Sequence, residues 1–289
     1  MDPPMTLTTP LSPRHRLCLL VGLVGLVGCE PDEPEPPADD DDSADDAADD
    51  DDSPAILTAY HGLDELPVAV AALCGAIGVG EDGMPVVFSV PLDGETVTPA
   101  AFRVETGAGP VEPLCATLRP ADEPLELHTV LLAGPFGTEA DPPLSVEVVG
   151  DVRAVDGVSV QGLRTDTITP LAAGPSVVLA ESFDPAAPGL DPECPAGTTR
   201  VVQLVFEGGV TGPDNSALAE PQRLGVSLHL AGGDVVPPTA LGDDDPDNYV
   251  HACTDRTEVV EFVSVAEGLF HDPGDDPNPA VAPVAVVAR

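Results

Sequence analysis

Proline and glycine interrupt this chain at short intervals, and no other feature limits its fold more. The 289 residues hold 35 prolines and 28 glycines. Proline in a helix interior removes a backbone donor and clashes with the preceding turn, so long helices do not fit between the breaks. What fits is strand pattern. Phe102 and Val104 alternate with Arg103 and Glu105; Leu144, Val146 and Val148 with Ser145 and Glu147; Val226, Leu228 and Leu230 with Ser227 and His229. A period of two over four to eight residues marks a strand with one buried face. Val86-Val87-Phe88, Val130-Leu131-Leu132 and Val177-Val178-Leu179 are unbroken apolar runs, which predict strands covered on both faces. Gly208-Gly209 and Gly232-Gly233 suit hairpin turns needing positive φ. Leu66 to Ile77 alone tolerates a helix, and its state is left open. The expectation is an all-β chain built as a β-sandwich, in two β units with no internal repeat visible between them.

The N-terminal segment has a different logic. Arg14-His15-Arg16 precedes an apolar run from Leu17 to Val27 that ends in Leu26-Val27-Gly28-Cys29. Basic, apolar and small residues in that order before a cysteine resemble the signal peptide and lipobox of bacterial lipoproteins. The resemblance implies cleavage by signal peptidase II before Cys29, diacylglycerol on its thiol and an acyl chain such as palmitate on its amine. A transmembrane helix needs roughly 20 apolar residues, and this run is shorter and, counted through Gly28, carries three glycines. Each methylene buried in a bilayer contributes about 0.8 kcal/mol, so two or three acyl chains hold a folded body there.

Beyond the lipid site, EPDEPEPPADDDDSADDAADDDDS (30–53) lacks the side chains to build a core. Its prolines and repelling aspartates predict a solvated tether, about 80 Å long at about 3.3 Å per residue. The domain reading is therefore a signal peptide over 1–28, lipidated cysteine and acidic tether over 29–53, a first β-sandwich over 54–184 and a second β domain over 185–289.

Within the first sandwich, Val87-Phe88-Ser89-Val90-Pro91-Leu92-Asp93 followed by Thr96 to Val104 resembles the opening strands of bacterial Ig-like domains. Thr169-Pro170-Leu171-Ala172-Ala173-Gly174 is similar to the turn before that family's late strand. Cys74, Cys115 and the stretch from Leu118 to Pro143 depart from the family pattern. The resemblance implies a spacer or adhesive module and carries over no catalytic residue.

Charge excludes several partners. The chain has 51 acidic and 10 basic residues, for a formal net charge of −41. Phosphate neutralisation needs Lys/Arg clusters, so nucleic acid is excluded as a partner, and anionic lipid is no better matched. Cations and basic protein surfaces are the compatible ligands. Sugar-binding modules stack sugars on aromatic rings, and this chain has 2 tyrosines and no tryptophan.

Of 6 cysteines, Cys18 leaves with the signal and Cys29 is the lipid site. Cys74, Cys115, Cys194 and Cys253 remain, an even number in an exported chain, and imply two disulfides. Cys74–Cys115 and Cys194–Cys253 is the favoured pairing because each bond then lies within one β unit. A zinc site would want a C-x2-C spacing, which is absent.

Two acidic loops are the places where chemistry could reside. Asp243, Asp245 and Asp247 have the D-x-D-x-D spacing that can converge oxygens on calcium, with Asn248 beside them; Asp272, Asp275 and Asp276 follow about 25 residues later, in a stretch ending at Asn278. The same residue types also make ordinary turns, and both readings stand. There is no G-x-S-x-G elbow and no H-E-x-x-H. His61, His128, His229, His251 and His271 are read as surface or strand-edge residues, with His251 and His271 near enough to the acidic loops to join a mixed-ligand site. The expected function is non-enzymatic: a lipid-anchored structural or binding module of a bacterial cell envelope, on the periplasmic face or cell surface of the outer membrane. It requires no cofactor and partners an envelope protein or a cation. Calcium binding or calcium stabilisation is the alternative; an envelope hydrolase is a more distant one.

Overall fold

Unbroken apolar runs and alternating runs do become strands, and the contrast between them sets the architecture. A computed structural model of the chain describes residues 53–63, 66, 72–75, 80–190, 193–242 and 247–289. The signal, Cys29, nearly all of the acidic tether, and the candidate ligands Asp243 and Asp245 lie outside the described residues. Of the helix-tolerant stretch, Leu66 and a 3-10 turn at Ala72–Cys74 are described.

The first half contributes β1 (Ile56–Tyr60), β2 (Asp82–Phe88), β3 (Phe102–Thr106), β4 (Gly109–Val111), β5 (Cys115–Thr117), β6 (Thr129–Gly134), β7 (Ser145–Val148), β8 (Arg164–Thr165) and β9 (Ile168–Thr169). They form a five-stranded sheet, β5-β6-β2-β1-β9, and a four-stranded sheet, β4-β3-β7-β8. Met84, Val86 and Phe88 of the larger sheet pack on Phe102, Val104, Val146 and Val148 of the smaller, so the two are the layers of a β-sandwich. Leu144 departs from its predicted alternation. It lies just before β7, outside the pleat, and is exposed.

The second half contributes β10 (Val177–Phe183), β11 (Arg200–Phe206), β12 (Val226–Leu230), β13 (Val235–Val236), β14 (Ala240–Gly242), β15 (Tyr249–Thr254), β16 (Val260–Val265) and β17 (Val284–Ala288), with a short helix at Glu220–Gly225. These make one eight-stranded sheet, β13-β12-β16-β17-β10-β11-β15-β14. It folds over at β17, which pairs antiparallel with β16 through Val284 and Ala285 and parallel with β10 from Val286 to Ala288. The two limbs enclose Val202, Leu204, Phe206, Val226, Leu228 and Val263.

The halves share one pairing scheme. The first strand of each pairs antiparallel with the second and parallel with the last: β1 with β2 and β9, β10 with β11 and β17. The second strand of each then pairs with β6 or β15, and β3 with β7 as β12 with β16. This is a topological repeat that the sequence does not display. Strand pairing needs only apolar residues on the correct face, which many sequences supply. Because β10 belongs to the second sandwich, the break between them falls between Thr169 and Val177. The boundary read at 184/185 is one strand late, and Thr169–Gly174 connects the sandwiches rather than preceding a late strand of the first.

Both expected disulfides are present. Cys74–Cys115 and Cys194–Cys253 each link the segment after a half's first strand to a later strand of the same sheet, β5 or β15. Gly232 and Gly233 have φ of 107° and 95° in the β12–β13 hairpin, as expected. Gly208-Gly209 is not a hairpin turn. Gly208 is instead required by close approach, since a methyl group there would overlap the Tyr60 ring.

The sandwiches stack sheet on sheet within one compact unit, Asp51–Arg289. Val87 and Ala121 of the first meet Leu179, Val205 and Tyr249 of the second. Four layers result, and the two middle sheets are covered on both faces. Every residue of β2, β6 and β15 is accordingly buried.

Candidate functional site

The plane where the sandwiches meet is lined by apolar side chains at its centre and by polar ones around them. Glu181, Gln203 and His251 are register partners across β10, β11 and β15. They point away from the second core, whose residues Ala180, Leu204 and Ala252 alternate with them. Glu126 and His128, from the segment entering β6, face this row. All five are buried.

His251 Nε2 lies 3.0 Å from Gln203 Nε2 and 3.5 Å from Glu126 Oε1. Burial pushes the His251 ring down to about 4, so at neutral pH Nε2 carries a lone pair and accepts the Gln203 amide hydrogen. The Glu126 contact becomes an ion pair only when the ring is protonated. His128 Nε2 sits 3.4 Å from Glu181 Oε2, and the same carboxylate receives Arg289 Nε–H at 2.6 Å. Burial acts to raise Glu181, but the hydrogen bonds and Coulombic attraction from His128 and Arg289 prevail, and its pKa lies below the ordinary carboxylate range. The His128 backbone N–H donates to the Tyr249 hydroxyl at 2.9 Å.

A second polar group joins β1 to the loops of the second sandwich. The Tyr60 hydroxyl lies 2.8 Å from Asp272 Oδ2 and from the Ala173 carbonyl. Glu207 accepts from Thr58 and Thr169 hydroxyls. Burial raises the pKa of Tyr60, Glu207 and Asp272 alike, and for Tyr60 the Asp272 charge adds to it. His61 faces Asp82 at 3.6 Å inside the first half, and Asp82 also accepts the Phe136 N–H at 2.9 Å.

His61, His128 and His251 are therefore buried and opposed by carboxylates, not surface or strand-edge residues as expected. For His251 the expectation failed because an outward-facing strand position becomes interior once another sheet covers it; His61 and His128 flank the ends of β1 and β6 and are buried beside them. His229 does keep a half-buried place on β12, 2.9 Å from Ser264 Oγ.

Between the sandwiches lies a cavity of about 770 Å³. Leu63, Leu66, Leu118 and Leu131 wall it from the first, and Gly209, Asp247, Asn248, Pro273 and Asp276 from the second. Its size falls in the range of small-ligand pockets, roughly 300–1,000 Å³. Beside it, carboxylate oxygens of Glu123, Glu126 and Asp247 lie within 4.8 Å of one another. Glu123 and Glu126 are presented by one turn, with Glu126 N–H donating to the Glu123 carbonyl at 3.0 Å. Asp247 is oriented by the Tyr249 N–H, which donates to Oδ1 at 2.7 Å.

The two acidic loops do come to a common place, since Asp247 and Asp276 line the same cavity. Other predicted ligands are engaged in building the loops. Asp272 binds Tyr60 through Oδ2 and accepts the Asp276 N–H through Oδ1 at 2.8 Å. Asp275 Oδ1 accepts the Asp214 N–H and faces His271 Nδ1, each at 2.8 Å. Asn248 Nδ2 donates to Thr129 Oγ1 and the Phe206 carbonyl, and Asn278 Oδ1 accepts the Leu269 and Phe270 N–H groups. Among the described residues, the grouping suited to a metal ion pairs Asp247 with Glu123 and Glu126 rather than with the 272–278 loop. Those glutamates carry no spacing signal; Ala121-Asp122-Glu123-Pro124 reads as an ordinary acidic loop.

The chain matches no protein-family model, no curated protein and no solved structure.

Proposed function

We propose that the protein is a lipid-anchored, non-enzymatic binding module of a bacterial cell envelope, two Ig-like sandwiches held off the membrane by the acidic tether through Cys29. The cavity walled by both sandwiches is the observation that carries the binding reading. A spacer needs no such opening, and ligand sites favour junctions between folded units. Two disulfides support an oxidising compartment, because cytosolic thiols are kept reduced. The lipobox supports anchorage, and among the described residues no helix is long and apolar enough to cross a membrane. The parallel pairing of first and last strands, present twice, supports extending the Ig-like resemblance to both halves. Membrane fractionation tests the anchor: Cys29→Ser should move the protein to the soluble fraction, and unchanged partitioning refutes lipidation.

The Glu123–Glu126–Asp247 cluster favours a second reading, calcium stabilisation of the junction. Three converging carboxylates suit a hard cation that takes oxygen ligands. Calcium at 100 times its dissociation constant should then stabilise the fold by about 2.7 kcal/mol, and Asp247→Asn should abolish the effect. No shift in melting temperature at millimolar calcium removes this reading.

A further inference from the structure

We infer that the cleft between the sandwiches takes a small organic cation with an apolar body, its ammonium or guanidinium group seated against Asp247. The inference rests on the binding-module reading and names the ligand class. The first-sandwich wall, with Leu63, Leu66, Leu118 and Leu131, offers an apolar ligand a surface it can desolvate without losing hydrogen bonds. The opposite wall is acidic. It carries the buried Asp247 and the half-buried Asp276, and carboxylate oxygens of Glu123 and Glu126, from the first sandwich, lie within 4.8 Å of that of Asp247.

The lining's cation, Arg119, is exposed and engaged by Asp122 at 3.1 Å, so it does not neutralise the acidic wall. A cation lodged there offsets the mutual repulsion of three carboxylates, and an anion adds to it. Neutral apolar molecules satisfy one wall and leave the other in need of water. Charge and shape complementarity together therefore select an amphipathic cation.

Titration calorimetry on the oxidised full chain carrying Cys29→Ser tests this with three matched probes: 4-phenylbutylamine, 4-phenylbutanol and 4-phenylbutyrate. The amine should bind at least about tenfold more tightly than the alcohol, and the butyrate most weakly. Asp247→Asn keeps the Oδ1 acceptor for Tyr249 and should reduce the amine to the alcohol's affinity. Asp276→Asn, at a half-buried position less critical for folding, should narrow the same gap. Ala172→Trp, at the exposed rim, should block all three probes. Equal affinity for amine and alcohol would overturn the cationic class while leaving the cleft a binding site. Failure of every probe to bind the folded protein would overturn the cleft itself, and the binding-module reading with it.

Discussion

His251 makes the junction between the sandwiches sensitive to acid, by an amount that follows from its surroundings. Its ring is buried and lowered to about 4, against an ordinary value near 6.5 in the unfolded chain. A group depressed in the fold contributes stability that is present above its unfolded pKa and is lost as pH falls through the window down to the folded value. That window is pH 6.5 to 4. Its width of about 2.5 units corresponds to about 3 kcal/mol, a large share of a typical folding free energy. Carboxylates titrate nearby. Glu181, lowered, loses its contribution as pH falls through its folded pKa. Glu207 and Asp272, raised, contribute below their unfolded pKa and lose that as pH rises through the folded one.

The assay must cancel those carboxylates, and a variant does so. His251→Gln keeps a polar side chain beside Gln203 and cannot titrate. Urea unfolding of both proteins at pH 7 and pH 4 gives four free energies. The wild type should lose about 3 kcal/mol more than the variant over that interval. Parallel losses would mean that the ring protonates in the fold as readily as in water. The burial argument for the row Glu181–Gln203–His251 would then be wrong.

Removing the Cys194–Cys253 bond by Cys194→Ser with Cys253→Ser releases a sequence separation of 59 residues in the unfolded chain and should cost about 4 kcal/mol, read by urea unfolding. A cost below 1 kcal/mol would show that the sheet pairing holds that loop without the bond. Tyr249→Phe leaves the buried His128 N–H without its acceptor and should destabilise by about 1–3 kcal/mol; hydrogen exchange at the His128 amide should quicken in parallel. Unchanged protection there would contradict the contact.

Local pattern accounts for most of the strands. Val226–Leu230 was legible residue for residue, and the alternation there and at Phe102–Glu105 places the buried faces correctly. The unbroken runs at Val86–Phe88 and Val130–Leu132 announced sheets covered on both sides without saying by what. Asp247 was legible as a candidate ligand from its spacing. Glu123 and Glu126 were not, because they approach it from a different loop, and the side-chain pattern of either loop is that of a turn.

Pro and Gly spacing, alternation and four cysteines were enough to dictate an all-β, disulfide-bonded chain, because each acts over a few residues or through a covalent constraint. The stacking of two sandwiches into four layers is a long-range event. It buries Val87 against Val205 and turns outward-facing His128 and His251 into interior groups. It also sets Asp247 beside Glu126 at the edge of a cavity. Periodicity reports that a face is apolar or polar, whereas the partner covering that face, and hence the site between them, is chosen only when the whole chain packs.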